Sequence, residues 1–306
     1  MYDPKQGFTL PLCSLSPTPF HDEPIILNSA VSLIRFNQPS KIPSMQTRYG
    51  TTALVTGASS GIGEAFARIL ASLGYTVVAV ARREDRLRQL QDTISRDGKG
   101  QVIPIIADLS QSDGVDTVAG AVEAAGLTID VLVNNAGVGY LGPVEAVERD
   151  KTIAMINLNC RAVVDMTLRF VPGMKERKRG AIIIVSSVVG TIPTPWFSAY
   201  SGTKAFDLYF GEGLYGECLG TGVDVVTVLP GLTETEFQAG AGMRDYHSPY
   251  RKAEQVVESA LAALGKKPIV VDGWFNKLLS HGTRFVPRSL LVRVSRAVMR
   301  KELGLR

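Results

Sequence analysis

From Thr51 onward the chain alternates between two kinds of apolar pattern. Short runs of Val, Ile, Leu and Ala occupy residues 53–55, 77–81, 102–107, 131–133, 181–185, 223–229 and 268–271. Each is strand-sized and apolar at consecutive positions, as expected for a strand buried on both faces. Between them, apolar residues recur at helical spacing over 61–73, 83–96, 112–125, 151–177, 199–219 and 252–264. Strand–helix alternation of this kind predicts an α/β fold: a doubly wound parallel sheet of about seven strands with helices on both faces.

Residues 1–50 lack either period and hold seven of the chain's 16 prolines, so an irregular N-terminal extension is expected there. No basic segment leading into a long apolar core marks a secretory signal, and Met45, just ahead of the first strand, is an alternative start. The pattern thus divides into the extension 1–50, a catalytic domain 51–271 and a C-terminal helical segment 272–306. In that last segment Leu290, Leu291, Val294, Ala297 and Val298 form an apolar stripe, with Arg293, Arg296 and Arg300 roughly opposite. Capping of a substrate pocket, packing on a partner subunit and peripheral contact with an anionic membrane are all open to it, the first two being favoured.

Composition narrows the function classes. With 45% hydrophobic and 20% charged residues the chain is a globular protein, and no run approaches the ~20 apolar residues that cross a bilayer. The net charge of +4 is concentrated at the end: residues 287–306 hold six Lys and Arg against Glu302, a net of +5. The remainder, with 27 basic and 28 acidic residues, is at −1. A neutral body gives no reason to expect nucleic-acid binding. Three scattered cysteines (Cys13, Cys160, Cys218) and three unclustered histidines argue against a disulfide scaffold and against a metal site, and favour a reducing, cytoplasmic setting.

The first strand ends in Thr56-Gly57-Ala58-Ser59-Ser60-Gly61-Ile62-Gly63 and a helix begins at once. Glycines allow a tight turn and close approach of backbone N–H groups to a pyrophosphate, at the positive end of a helix. The same residues fit the G-x-S-x-G elbow of hydrolases, but that elbow normally follows several earlier strands, and neither His247 nor His281 sits in a motif. A P-loop would need a Lys that is absent. A Rossmann fold with a dinucleotide site is therefore favoured. The second strand ends in Arg82-Arg83, with no acid to bond a ribose 2′-hydroxyl. A guanidinium there suits a 2′-phosphate, so NADP(H) is expected in preference to NAD(H).

Tyr200 and Lys204 share a face of one helix, where the ammonium favours the phenolate. Ser187 ends another strand thirteen residues earlier. Together with Asp108, the Asn134-Asn135-Ala136-Gly137 turn, Asn159 and Pro230-Gly231 followed by Thr233 and Thr235, this set resembles the short-chain dehydrogenase/reductase family over residues 51 to about 240. The Gly-x-x-x-Gly-x-Gly loop matches its alcohol/carbonyl oxidoreductase branch. The resemblance implies Tyr200 as general acid/base, Lys204 as the group that lowers its pKa and binds the nicotinamide ribose, and Ser187 as the substrate-orienting hydroxyl. It implies that Asn159, preferred over Asn157, holds a proton-relay water. Cofactor contacts are implied for Gly57, Ser59, Ser60, Gly61, Ile62, Gly63, Arg82, Arg83, Asp108, Asn135, Ala136, Gly137, Tyr200, Lys204, Pro230, Gly231, Thr233 and Thr235. The expected substrate is a small-molecule carbonyl or alcohol, and the expected assembly a homo-oligomer. The alternative is a dinucleotide-binding sensor or scaffold without turnover. Residues 138–141, 191–197 and the loop after Pro230, with Trp196, Phe197, Phe237 and Met243, are candidates for an apolar pocket. Arg244, Asp245 and His247 are read as a solvated loop or a contact to a polar substrate group.

Overall fold

The computed structural model describes residues 43–98, 100–243 and 250–303. Seven strands form one parallel sheet: β1 (Thr52–Thr56), β2 (Thr76–Ala81), β3 (Gln101–Ile106), β4 (Val131–Asn134), β5 (Gly180–Val185), β6 (Val223–Leu229) and β7 (Ile269–Val271), in the order β3-β2-β1-β4-β5-β6-β7. Each expected strand is present. Pro104 lies within β3, where it is tolerated because β3 is an edge strand with one side free of a ladder.

Side chains alternate across the sheet with period two, and each face has its own core. Ala53, Val55, Val77, Ala79, Val131, Val133 and Ile183 pack against α2 (Gly61–Ser72, through Phe66 and Leu70) and α9 (Ala253–Ala263, through Val256 and Val257). Leu54, Val78, Val80, Leu132, Ile182 and Ile184 face α4 (Gly114–Ala124), α6 (Ala162–Glu176) and α7 (Ser198–Cys218). Burial on both faces is why the strands are apolar without interruption. The helix α3 (Glu84–Asp97) lies beside β2 and β3.

Two elements depart from the sequence expectation. Residues 151–177 are not one helix. They divide into α5 (Arg149–Ile156), a π-helical turn (Asn157–Arg161) and α6, and the extra residue in the π turn carries Asn159 inward to complete burial. Within the stretch 1–50, expected to lack regular structure, residues 43–49 form α1 (Pro43–Tyr49), which places Tyr49 in the core, its hydroxyl donating to Asp224 Oδ2 at 2.7 Å, while Arg48 pairs with the same carboxylate at 2.6 Å. Beyond β7 the chain forms α10 (Trp274–Gly282), a 3₁₀ turn and α11 (Arg288–Glu302). No helix among the described residues is long and apolar enough to cross a membrane.

Candidate active site

A cleft of about 550 Å³ opens at the carboxyl ends of the strands, where β1 and β4 part and the strand order reverses. Ligands of doubly wound sheets bind at such a switch point. One wall is the glycine loop. Gly57 and Gly61 have φ of +69° and +57°, which L side chains resist. A Cβ on Gly63 would fall 2.2 Å from the Gly57 carbonyl oxygen and 2.4 Å from Asn135 Nδ2. The loop is tied to the turn after β4: Thr56 Oγ1 accepts from Asn135 N and Ala136 N at 2.9 and 3.0 Å, and Asn135 Nδ2 donates to the Thr56 carbonyl at 2.8 Å. The loop at the N-terminus of α2 has the geometry to cradle a pyrophosphate, and a side chain at Gly63, behind the wall, would force it apart.

The two arginines after β2 behave differently. Arg83 donates to Ser60 Oγ (2.7 Å) and Ser59 Oγ (3.1 Å), and pairs with Glu236 at 2.7 Å across the cleft. That guanidinium holds Glu236 below the usual carboxylate range. Arg82 is 64% exposed, and its nearest carboxylate is Asp108 at 3.8 Å. Burial works against ionisation of Asp108, but the hydroxyl and N–H of Ser110, with Arg82, bring its pKa below the ordinary value.

Deeper in the cleft, α7 presents Tyr200 and Lys204, both buried. Lys204 Nζ donates to Asp207 Oδ2 and to the Val185 carbonyl, each at 2.8 Å. Ser187, just beyond β5, lines the same cleft; its Oγ donates to the Pro230 carbonyl at 3.4 Å and accepts from Val189 N at 3.3 Å. Burial pushes the Tyr200 pKa up. Lys204 and Ser187 oppose this, and Asp207 adds to it, so the net direction is the reverse of the lowering expected from Lys204 alone. Burial disfavours the Lys204 ammonium, but the Asp207 and Tyr200 side chains outweigh it and raise its pKa. Asn159 lies behind these groups. Its Oδ1 accepts from Val138 N at 3.0 Å, and its Nδ2 donates to the Val138 carbonyl at 2.9 Å and to Thr203 Oγ1 at 3.0 Å. It thereby fixes the strand-to-loop turn that carries residues 138–141.

The outer part of the cleft is apolar. Phe197 stacks on Tyr200 with ring centroids 4.4 Å apart, and Phe237, from the short helix α8 (Phe237–Gly240), lies 5.3 Å from Tyr200. Val138, Tyr140, Val189 and Met243 complete it.

A family model described as short chain dehydrogenase matches residues 51–244, well over half of the chain. The chain belongs to the short chain dehydrogenase family. A short chain dehydrogenase of Pseudocercospora fijiensis is 38% identical over 240 residues, 76% of this chain and 77% of the relative. A very-long-chain 3-oxoacyl-CoA reductase of Anas platyrhynchos is 34% identical, over 76% of this chain and 77% of its own length. Among solved structures, a 7beta-hydroxysteroid dehydrogenase superposes with a TM-score of 0.76 at 30% identity, covering 82% of this chain and 98% of that one. The protein is an NAD(P)-dependent oxidoreductase acting on carbonyl or CH–OH groups, and nothing favours the sensor or scaffold alternative.

Most of the residues singled out in this dehydrogenase from its sequence lie along the one cleft: Gly57, Ser59, Ser60, Gly61, Ile62, Arg82, Arg83, Asp108, Asn135, Ala136, Gly137, Ser187, Tyr200, Lys204, Pro230, Gly231, Thr233 and Thr235. Gly63 and Asn159 stand behind its wall. Trp196, unlike Phe197, Phe237 and Met243, is absent from the lining. It adopts φ +60°, and its carbonyl accepts from Gly142 N at 2.7 Å. Among the described residues, none of 272–303 lines the cleft, so of the roles left open for the tail, pocket capping is not the one seen. Arg244, Asp245 and His247 lie outside the described residues. Asp207 and Glu236 were missed from sequence. Asp207 carried a usable signal, since its i+3 spacing from Lys204 puts it on the same helix face. Glu236 carried none, because its partner is 153 residues away.

Proposed function

We propose that this short chain dehydrogenase is an NADP(H)-preferring reductase of large apolar carbonyl compounds. The observation that carries this reading is the continuity of the cleft: it runs from Arg82 and the glycine cradle, past Tyr200, into a patch formed by Phe197, Phe237, Val189 and Met243. A dinucleotide lying along it supplies a hydride at the nicotinamide end. Arg82, 64% exposed and held only by a 3.8 Å approach to Asp108, suits a 2′-phosphate on the adenosine ribose.

The chain's own groups divide the remaining work. Ser187 and Tyr200 converge to hold a carbonyl oxygen by two hydrogen bonds. Tyr200, kept protonated by burial, donates its phenolic proton to the oxygen as charge develops there. Lys204, pinned by Asp207 and the Val185 carbonyl, stabilises the phenolate left behind. Asn159 positions the 138–141 segment against the substrate. The aromatic wall excludes water and receives an apolar body, which fits the acyl and steroid compounds named in two similar proteins.

The test is NADPH consumption by the purified full chain with a long-chain 3-oxoacyl thioester, a bulky cyclic ketone, a short aldehyde and an open-chain sugar. Highest kcat/KM on the first two supports the reading, and a preference for the sugar overturns it.

A further inference from the structure

The helix α10 sits on the protein the wrong way round for a core-packing helix. Its polar side faces inward: Ser280 is buried, and Asn276 Nδ2 donates to the Asp272 carbonyl at 2.8 Å. Trp274, Phe275, Leu278 and Leu279, spaced i, i+1, i+4 and i+5, share the opposite face and are exposed. Trp274 is 79% and, on the turn beyond the helix, Phe285 is 88% exposed. An amphipathic surface helix ordinarily turns its apolar stripe to the core. The stripe of α11 is split as well, with Leu291 buried and Leu290, Val294 and Val298 exposed.

Charge selects the partner. From residue 273 to 303 the chain carries seven Lys and Arg, from Lys277 to Lys301, against the single acid Glu302, a net of +6. Among the described residues none of these seven forms an ion pair within the chain, whereas most arginines of the main body do. A second copy docking by this surface would set +6 against +6. A soluble polyanion would satisfy the cations but leave Trp274, Phe275 and Phe285 in water. A bilayer with anionic headgroups meets both demands, because aromatic rings settle at the headgroup–acyl boundary while Arg and Lys reach the phosphates.

We propose that the outward face of α10 and the turn through Phe285, flanked by the cations of α11, docks peripherally on an anionic lipid surface. The inner side of α10 abuts the cleft: a Cβ on Gly231 would fall 2.2 Å from Asn276 Nδ2. Docking therefore brings the cleft rim close to the lipid.

The test uses the full chain with vesicles of phosphatidylcholine alone or with about 30 mol% phosphatidylglycerol. The expected result is co-sedimentation with the anionic vesicles and a blue shift of Trp274 emission. Raising salt from about 0.1 M to about 1 M, which shortens the screening length from about 10 Å to about 3 Å, should release the protein. Trp274→Ser combined with Phe285→Ser should weaken partitioning at least about tenfold, with NADPH affinity and thermal stability unchanged. Three results would overturn the proposal: no sedimentation with anionic vesicles, undiminished sedimentation of the double variant, or lipid-free self-association that the double variant abolishes, since a second copy would then cover the face.

Discussion

Arg82 and Arg83 are adjacent and chemically identical, but they have different partners in the structure, so truncating each separately discriminates between the roles proposed for them. Arg83 is already committed to Ser59, Ser60 and Glu236, and holds the glycine loop to the segment after β6. Arg82 has only a 3.8 Å approach to Asp108 and is free to swing to a phosphate. A hydrogen bond to a charged group contributes about 1.5–3 kcal/mol, which is between about tenfold and about 150-fold in affinity. Because Arg82 is 64% exposed, solvent screening puts the effect in the lower half of that range, about 10- to 50-fold. Arg82→Ala should therefore weaken NADPH by that factor and leave NADH almost untouched. Arg83→Ala should weaken both cofactors by a similar factor, because it loosens the shared pyrophosphate cradle. Fluorescence titration of the wild type and both variants with each cofactor reads this directly. An Arg82→Ala variant that loses NADH and NADPH alike, or an Arg83→Ala variant that loses NADPH alone, would refute the division of labour.

Further outcomes are expected at three positions. Tyr200→Phe keeps the buried ring but removes the transferable proton, so turnover should fall by about two to four orders of magnitude while NADPH affinity persists. In the wild type the upward-shifted phenol should keep reduction active into alkaline pH, with oxidation rising over the same range as the phenolate forms; a pH–rate profile in both directions checks the sign. Gly63→Ala drives a methyl against the Gly57 carbonyl oxygen and Asn135 Nδ2, so the loop must open, costing about 1–3 kcal/mol and weakening both cofactors in the same titration. Tyr75 is fully buried, its hydroxyl has no hydrogen-bond partner among the described residues, and burial, with the Asp130 charge, pushes its pKa up to about 12. Tyr75→Phe should stabilise the fold by about 1 kcal/mol, raising Tm by about 2–4 °C. A phenol raised above its unfolded value of 10.0 favours the fold below that pH and loses the advantage as pH climbs towards 12, so the variant should also lose less stability over that interval in alkaline melts.

The parallel sheet was legible because a strand buried on both faces must be apolar at every position, a signal that needs no knowledge of its neighbours. The glycine loop was legible for a similar reason: Gly57 and Gly61 take backbone angles that few other residues accept. The π turn at 157–161 was not, since one inserted residue rotates the helix beyond it without erasing the apolar repeat on either side. The upward shift of Tyr200 was also hidden. The Lys204 spacing is plain in the sequence, but how far burial opposes the phenolate depends on packing by Phe197 and Phe237.

What the sequence determined alone is the set of local properties: which segments are strands, where the turn must be glycine, which side chains can exchange a proton. The tertiary structure decided the relations between distant residues. It joined Arg83 to Glu236 across the cleft, buried Asp207 beside Lys204, and turned the apolar side of α10 outward. An amphipathic pattern states that two faces of a helix differ, but only packing settles which of them meets the protein.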